Sequence, residues 1–202
     1  TYKAVIFDYG GVLMSYSSEV PEWTKIEMEY ELQRGSIQKT LFSIFKDIPG
    51  IDKLLFEGHV SAADLEKEIL PNYLSTKMGV KLPCPLDVLN LWMGPGRKIP
   101  YNENMISVVR SLRSMGIHTS ILTNNYKFDK EGLFDRTPID KSLFDVIVES
   151  TLEGCMKPDM EIYEITQSRL PSDILPSQCI FLDDNMDNIE AGNKFGWKSI
   201  LV

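Results

Sequence analysis

Short apolar runs alternate with longer amphipathic segments over most of the chain. An apolar run bounded by turn residues is typical of a buried strand, whereas apolar residues spaced three and four positions apart are typical of a helix. The predicted strands cover residues 3–7, 117–122, 144–148, 179–182 and 197–202. Helices are predicted between them over residues 105–115, 161–170 and 186–195. Strands that alternate with helices in this way predict a mostly parallel sheet with right-handed crossovers, which is an α/β fold.

The segment between the first two predicted strands shows helical patterns. Its predicted helices cover residues 20–45, divided into two near Gly35, and residues 51–56, 61–71 and 86–93. Ser61 is a candidate N-cap, with Asp64 three residues later in the position of a loose capping box. Because no strand pattern interrupts this segment, it is interpreted as a helical domain inserted into the α/β chain.

These patterns predict two domains. Residues 1–14 and 101–202 form the α/β core, and residues 15–100 form a small all-helical cap with its linkers. The linkers are placed near residues 15–20 and 94–101, and the second is rich in Gly and Pro. A cap that hinges on two linkers could close over a substrate and exclude water.

Composition and charge exclude several classes of partner. The chain of 202 residues is 43% hydrophobic and 25% charged, as in an ordinary globular protein. Its formal net charge of −8 argues against a nucleic acid or an anionic membrane as the main partner. No run is long enough to cross a membrane and no signal peptide precedes the first strand, so we expect a soluble, cytoplasmic protein. The sequence indicates no particular oligomeric state.

The residues able to bind a metal are mostly carboxylates. Cys84, Cys155 and Cys179 are odd in number and widely spaced, which fits a reducing compartment and no structural zinc. His59 and His118 are the only histidines, so a histidine-based metal site is nearly excluded. Any metal is therefore expected to be a hard cation with oxygen ligands, such as Mg²⁺.

The first predicted strand ends at an acidic residue followed by glycines. Asp8 comes directly after the apolar run, and Gly10 and Gly11 allow the backbone to turn tightly and to approach a ligand closely. Ligands of open α/β sheets bind in the crevice beyond the carboxyl ends of the strands. Asp8 is therefore a candidate site residue, although an Asp that opens a surface turn has the same pattern.

Polar residues also follow the second and third predicted strands. Thr123 and Asn124 end the second, where a hydroxyl, an amide and the backbone N–H groups of the turn could bind an anion. Lys157 follows the third, and an ammonium group there would neutralise both a phosphate and a carboxylate. The alternatives are a threonine with no special role, since threonine is common at strand ends, and an ordinary surface lysine.

The fourth predicted strand ends in two adjacent acids, Asp183 and Asp184. Parallel strands place them at the same sheet edge as Asp8, and three carboxylates in one crevice repel one another strongly. A divalent cation with oxygen ligands is the usual means of holding them ionised together. In the alternative, one acid caps the helix at Met186 and the other faces solvent, which explains one acid but not a pair beside Asp8.

Together these segments resemble the four motifs of the haloacid dehalogenase (HAD) superfamily, which consists mostly of Mg²⁺-dependent phosphatases that pass through an aspartyl-phosphate. The matching segments are F-D-Y-G-G-V-L, L-T-N-N, M-K-P-D-M-E-I-Y and F-L-D-D-N-M-D-N-I-E-A-G, in that order. The resemblance covers the whole chain and implies a Rossmann-like core with the helical insertion as its cap. Within the superfamily, the chain is most similar to the group that holds the N-terminal phosphatase-like domains of soluble epoxide hydrolase and of acyl-CoA dehydrogenase family member 10.

The resemblance implies a catalytic role for four residues and a small phosphorylated metabolite as the substrate. Asp8 would be the nucleophile that attacks phosphorus, while Mg²⁺ and Lys157 neutralise the phosphoryl oxygens. Thr123 and Asn124 would hold the phosphoryl group as it is transferred.

The resemblance also implies the metal ligands. Asp8, Asp184 and the backbone carbonyl of Gly10 would bind Mg²⁺, with Asp183 acting through water or on Lys157. The residues implied as further support for the phosphate or the metal ligands are Asn188 and Gly11.

The chain departs from the family pattern at Gly10, where phosphatases of the superfamily generally carry a second aspartate. That aspartate protonates the leaving group and later activates the hydrolytic water. Loss of general acid–base catalysis typically costs about 10²–10⁴-fold in rate.

Three outcomes are open. The first is a slow or selective phosphatase for substrates with good leaving groups, such as acyl phosphates or anomeric sugar phosphates; His59 or Glu57 could supply the acid, although both are better explained as a loop between cap helices. The second is a catalytically reduced protein that binds metal and ligand, or a partner, without turnover. The third is a dehalogenase, which also lacks the second aspartate but needs no metal, so the adjacent Asp183 and Asp184 argue against it.

Overall fold

The computed structural model describes residues 1–15, 20–82, 86–93, 100–132, 134 and 137–202. Much of both predicted linkers lies outside these residues, as does Cys84. Among the residues that the structure describes, no helix is long and apolar enough to cross a bilayer.

Five strands form one parallel sheet. They are β1 (Ala4–Phe7), β2 (His118–Thr123), β3 (Val146–Glu149), β4 (Cys179–Asp183) and β5 (Lys198–Leu201). Their order across the sheet is β3-β2-β1-β4-β5, and every neighbouring pair is parallel. The five predicted strands are confirmed, because each observed end lies within two residues of the predicted one. β1 is buried along its whole length, which explains its unbroken apolar run.

Helices connect the strands and also fill the long segment after β1. In chain order they are α1 (Pro21–Glu29), α2 (Ser36–Asp47), α3 (Ile51–Phe56), α4 (Ala62–Glu68), α5 (Leu70–Met78), α6 (Val88–Met93), α7 (Glu103–Ser114), α8 (Ser150–Glu153), α9 (Met160–Arg169) and α10 (Met186–Phe195). The predicted helices between the strands are confirmed as α7, α9 and α10. α8 and two 3₁₀ turns, Lys141–Leu143 and Pro176–Gln178, were not predicted, because such short segments show no periodicity.

The helices after β1 follow the predicted pattern with one exception. α1 and α2 lie on either side of the predicted break at Gly35. The Ser61 hydroxyl accepts a hydrogen bond from the Asp64 backbone N–H at 3.1 Å, and the Asp64 carboxylate accepts one from the Ser61 N–H at 2.9 Å, which completes the capping box. The prediction that Pro71 ends this helix was wrong. α4 ends earlier, and Pro71 lies in the first turn of α5, where its missing N–H needs no partner.

The chain divides into two compact units. The first contains Thr1–Tyr16, Ile99–Asn125 and Thr137–Val202, and the second contains Ser17–Lys98 and Tyr126–Arg136. The sheet and helices α7–α10 belong to the first unit, and helices α1–α6 belong to the second. Each unit has its own cluster of buried apolar side chains.

The segment Tyr126–Arg136 differs from the prediction, which assigned it to the α/β core. The N–H groups of Ala62 and Ala63 donate to the carbonyls of Lys127 and Phe128 at 2.7 and 3.2 Å, so the segment is bonded to the start of α4. Tyr126 also packs against the apolar cluster of the second unit. These partners are far apart in the sequence, so no local pattern could reveal them. The role of the second unit as a cap stays a prediction.

Candidate active site

The sheet order brings β1 and β4 side by side. Phe7 lies opposite Leu182, and the Asp8 N–H donates to the Leu182 carbonyl at 2.8 Å. β2 and β3 lie on one side of β1, and β4 and β5 lie on the other. The order in which strands are added to the sheet therefore reverses at β1, although all strands run parallel. Open α/β sheets bind ligands at such a switch point, beyond the carboxyl ends of the strands. β1 and β4 flank this point; Asp8 directly follows β1, and Asp183 is the last residue of β4.

Three acids form one carboxylate cluster at this edge. Asp8, Asp183 and Asp184 each offer one carboxylate oxygen, and these oxygens all lie within 4.8 Å of one another. Asp8 and Asp183 are buried, and Asp184 is exposed. The structure therefore brings together the acids that the sequence places at the ends of β1 and β4.

Lys157 lies inside this cluster. Its side chain is 1% exposed, and its Nζ lies 2.9 Å from Asp8 Oδ1 and 2.6 Å from Asp183 Oδ2. Nζ also lies 5.6 Å from the ring centroid of Phe181, within the range of a cation–π contact. A buried ammonium group needs charged partners, and two carboxylates supply them here. The alternative of an ordinary surface lysine is therefore excluded.

Hydrogen-bond donors surround the fully buried Asp183. Asn188 Nδ2 donates to its two oxygens at 3.0 and 3.1 Å, and the Asn185 N–H donates to Oδ1 at 2.8 Å. The Tyr163 hydroxyl in turn donates to the Asn188 carbonyl at 3.0 Å. Asp183 is thus held by α10 and bonded to Lys157, which suits a residue that orients the lysine.

Gly11 makes room for Asp184. A Cβ built on Gly11 would clash with the Asp184 carboxylate, and the Gly11 φ of 77° lies in the left-handed region. Both features favour glycine at this position. The Gly11 N–H donates to the Met14 carbonyl at 2.7 Å and so fixes the turn after β1.

Burial and neighbouring charges shift the pKa values of Asp8, Asp184 and Lys157. Burial raises the pKa of Asp8 to about 7; Lys157 opposes this shift and the charge of Asp183 adds to it. Burial, together with Asp183, also raises the pKa of Asp184. Although burial acts to lower the pKa of Lys157, Asp8 and Asp183 raise it above its usual value, so the amine stays protonated. Further positive charge beside Asp8 and Asp184 would favour the ionised forms of these two acids.

Thr123 and Asn124 lie at the end of β2, and the structure gives Asn124 a definite contact. Its Nδ2 donates to the Lys157 carbonyl and its Oδ1 accepts from the Lys157 N–H, both at 2.9 Å. This side chain therefore holds the backbone of the lysine, whereas the sequence suggested a contact with the phosphoryl group. Thr123 is 2% exposed and adjoins this pair.

Gly10 lies in the turn after β1, where it forms an isolated bridge with Met14. It has no side chain that could donate a proton, and the binding of a metal by its carbonyl stays a prediction. Glu57 and His59 lie between α3 and α4, as the loop interpretation predicts, and His59 Nε2 lies 3.3 Å from the Glu57 carboxylate.

Two residues near the cluster were not singled out from the sequence. Tyr163 supports Asn188, and its signal was its place at the end of the segment that matches the third motif. Phe181 lies beneath the Lys157 ammonium group, two residues before Asp183 on the same face of β4. Side chains two residues apart on a strand lie on the same face, so the sequence could have indicated that Phe181 lies on the same side of β4 as Asp183.

Comparison with known proteins identifies relatives over the whole chain. The match to "Acyl-CoA dehydrogenase family member 10" of Mus musculus is 30% identical over 206 residues and covers 100% of this chain but 18% of the relative. "Bifunctional epoxide hydrolase 2" of Sus scrofa is 26% identical over 99% of this chain and 36% of the relative. "Sesquiterpene phosphatase astK" of Aspergillus oryzae is 27% identical over 97% of this chain and 87% of the relative. The chain thus spans well under half the length of the first two relatives.

Solved structures share the fold. The HAD family enzyme bt-2542 from Bacteroides thetaiotaomicron, in a magnesium complex, aligns with a TM-score of 0.64 and 19% identity over 100% of this chain and 93% of that chain. A structure described as a dehalogenase aligns with a TM-score of 0.66 and 16% identity over 100% of this chain and 84% of that chain. At these identities the likeness establishes the fold, a Rossmann-like parallel sheet of the HAD type.

A family model provides the assignment that the four motifs predict. The model for haloacid dehalogenase-like hydrolases matches residues 2–196, nearly the whole chain. The resemblance to this superfamily is therefore confirmed, and so is the predicted relation to the acyl-CoA dehydrogenase and epoxide hydrolase proteins. The chain belongs to the haloacid dehalogenase-like hydrolase family.

Proposed function

We propose that this hydrolase is a Mg²⁺-dependent phosphatase that acts on a small phosphorylated metabolite through an aspartyl-phosphate at Asp8. The charge of the cluster carries the proposal. Three carboxylates, from Asp8, Asp183 and Asp184, lie together, and one ammonium group, that of Lys157, contacts Asp8 and Asp183. When all four groups are ionised the cluster has two net negative charges, which one divalent cation would balance.

The donor set fits a hard cation. Mg²⁺ prefers oxygen ligands and is commonly bound by one or two carboxylates together with retained water. Asp8 and Asp184, with the Gly10 carbonyl, would hold the ion, because Asp183 is already bonded to Lys157 and Asn188. When bound, the ion supplies positive charge that stabilises the phosphoryl oxygens and keeps the Asp8 carboxylate ionised. The magnesium complex of bt-2542, which has a similar fold, supports this choice.

The reaction has two steps at Asp8. An Asp8 oxygen forms a bond to phosphorus while the bond from phosphorus to the leaving oxygen breaks. Water then attacks phosphorus in the aspartyl-phosphate, which releases inorganic phosphate and restores the carboxylate. Lys157 and the Tyr9 N–H both bind Asp8 Oδ1, at 2.9 and 2.7 Å, and so fix the orientation of the nucleophile. Lys157 also neutralises charge on the phosphoryl group, which Thr123 helps to hold.

Gly10 narrows the class of substrate. Without an acid at this position, the leaving oxygen must depart with little help from proton transfer. Acyl phosphates and anomeric sugar phosphates have good leaving groups, which depart without needing to be protonated first. The match to a relative named as a sesquiterpene phosphatase supports phosphate-ester chemistry more generally.

The substitution Asp8→Asn tests the proposal. We expect it to lower the Mg²⁺-dependent release of phosphate from a panel of acyl and sugar phosphates by about 10²-fold or more, because it removes the nucleophile. Asp187→Asn is the matched control, since this exposed acid lies near the cluster in sequence but outside it. Release of phosphate that survives in Asp8→Asn would refute Asp8 as the nucleophile.

Gly10 also favours a second candidate, a protein that binds metal and ligand without turnover. That candidate predicts Mg²⁺ binding by the wild-type chain and no phosphate release from any member of the panel. Dehalogenase chemistry is less well supported, because it gives no role to the adjacent acids Asp183 and Asp184 beside Asp8.

A further inference from the structure

The chain leaves the first unit and returns to it close to the candidate active site. The segment Tyr126–Arg136 belongs to the second unit, so Asn125 is the last residue before this excursion and Thr137 is the first residue after it. Both side chains are buried in the first unit, with Asn125 7% exposed and Thr137 0% exposed. The segment Tyr126–Arg136 is therefore flanked on both sides by a polar residue that is buried in the first unit.

One carboxylate joins these two flanking residues. Asn125 Nδ2 donates to Glu149 Oε1 at 2.8 Å, and the Thr137 hydroxyl donates to the same oxygen at 2.5 Å. Glu149 is the last residue of β3 and is 8% exposed. Hydrogen bonds to a charged acceptor in a buried position are strong, and their loss leaves polar groups unsatisfied. We call Asn125, Thr137 and Glu149 the Glu149 clamp.

Asn125 is held on its other side by the first residues of α8. The Thr151 hydroxyl donates to Asn125 Oδ1 at 2.8 Å, and the Asn125 N–H donates to the Ser150 hydroxyl at 3.1 Å. Ser150 and Thr151 follow Glu149 directly in the chain. The loop after β2 is thus bonded both to the end of β3 and to the helix that leads towards Lys157.

The Glu149 clamp adjoins residues of the proposed reaction. Glu149 lies opposite Thr123 in the register of β2 and β3. Asn125 follows Asn124, whose side chain holds both backbone groups of Lys157. A shift of Asn125 would therefore move the end of β2 and the support of the lysine together.

We propose that Glu149 is a positioning residue, and that the Glu149 clamp fixes Thr123 and Asn124 where phosphoryl transfer requires them. This inference rests on the proposed function for its effect on the rate. The holding of the β2 end is a separate physical property that can be measured without turnover. Displacements of about 1 Å by substitutions away from the chemistry can lower rates about 10²-fold.

Thr137→Val tests the clamp, because valine keeps the shape of the side chain and removes the hydroxyl. Thr166→Val is the matched control: Thr166 is also 0% exposed in the first unit, and its hydroxyl donates to the Ile162 carbonyl within α9. Thr137→Ser restores the hydroxyl. Two measurements are made on the full chain. The first is hydrogen exchange of the backbone amides at residues 123–125, and the second is steady-state kcat and KM for the release of phosphate from an acyl phosphate of the panel.

We expect Thr137→Val to speed exchange at residues 123–125 by about tenfold or more and to lower kcat by about tenfold or more, with little change in KM. Thr166→Val and Thr137→Ser should stay within about twofold of wild type in both measurements. Equal effects of Thr137→Val and Thr166→Val on exchange would overturn the inference. Faster exchange in Thr137→Val without a fall in kcat would overturn the positioning role. If the wild type shows no turnover, the proposed function fails, and exchange alone decides whether the clamp holds the end of β2.

Discussion

Two adjacent glycines, Gly10 and Gly11, lie in the turn after Asp8, and they differ in what they do there. Gly11 gives space to Asp184, and its left-handed backbone excludes most other residues. Gly10 does not have a positive φ, so its backbone conformation does not itself require glycine. We propose that Gly10 instead affects the reaction, because the family pattern places an acid two residues after the proposed nucleophile, Asp8.

Gly10→Asp should restore that acid. We expect kcat for alkyl phosphates, which have poor leaving groups, to rise by about 10²-fold or more, with a smaller gain for acyl phosphates. The matched control is Gly10→Asn, which has nearly the same shape but no carboxylic acid. Phosphate release by the two folded variants on both substrate classes is the measurement. Equal rates for the aspartate and asparagine variants would show that proton transfer does not limit turnover.

The sequence predicted which site residues lie at strand ends but not how they are bonded. Asp8 and Asp183 could be placed from strand patterns, since parallel strands bring their carboxyl ends to one edge. The burial of Lys157 could not, because a lysine before a proline in a loop has the same pattern at a surface. The pairing of Asn124 with the Lys157 backbone joins loops after two different strands, which sequence spacing does not encode.

At the scale of elements, α2 begins with help from a residue of the preceding helix. The first backbone N–H groups of a helix have no partner within it. The N-cap of α2, Gly35, has no side chain to supply one. Glu27 of α1 is 3% exposed and accepts from the Ile37 and Gly35 N–H groups, each at 2.9 Å. A carboxylate at a helix N-terminus also interacts favourably with the helix dipole.

Glu27→Ala should therefore destabilise the protein. We expect the free energy of unfolding, measured by denaturant titration, to fall by about 1.5–3 kcal/mol, because hydrogen bonds to a buried charged group are lost. Glu29→Ala, at an exposed position of the same helix, should change it by about 0.5 kcal/mol or less. Similar effects of the two substitutions would mean that the Glu27 cap does not stabilise the start of α2.

The limits of sequence patterns are also visible in α4 and α5. The capping box at Ser61 and Asp64 was predictable because both partners lie within one turn. The sequence predicts that the helix after Ser61 ends at Pro71, yet a proline in the first turn of a new helix has the same local sequence. The contact that caps the start of α2 could not be predicted from the sequence, because Glu27 lies well before the N–H groups that it binds.

At the scale of the whole molecule, the order of the strands determines which acidic residues become neighbours. Because β4 pairs with β1, the carboxylates of Asp8, Asp183 and Asp184 are neighbours in space although they are distant in sequence. The alternation of strands and helices predicted the parallel sheet, and four motif matches predicted the family. The assignment of Tyr126–Arg136 to the second unit was not predictable, because it depends on bonds to Ala62 and Ala63 in a distant part of the chain.

We propose that the acids at the ends of β1 and β4 bind one divalent cation. Calorimetric titration of Mg²⁺ into the wild-type chain, Asp184→Asn and Asp187→Asn tests it most directly. We expect one ion per chain for the wild type and Asp187→Asn, and binding weaker by about tenfold or more for Asp184→Asn, since it loses a ligand. A wild-type chain that binds no Mg²⁺, or an Asp184→Asn variant that binds it as tightly as the wild type, would contradict the account.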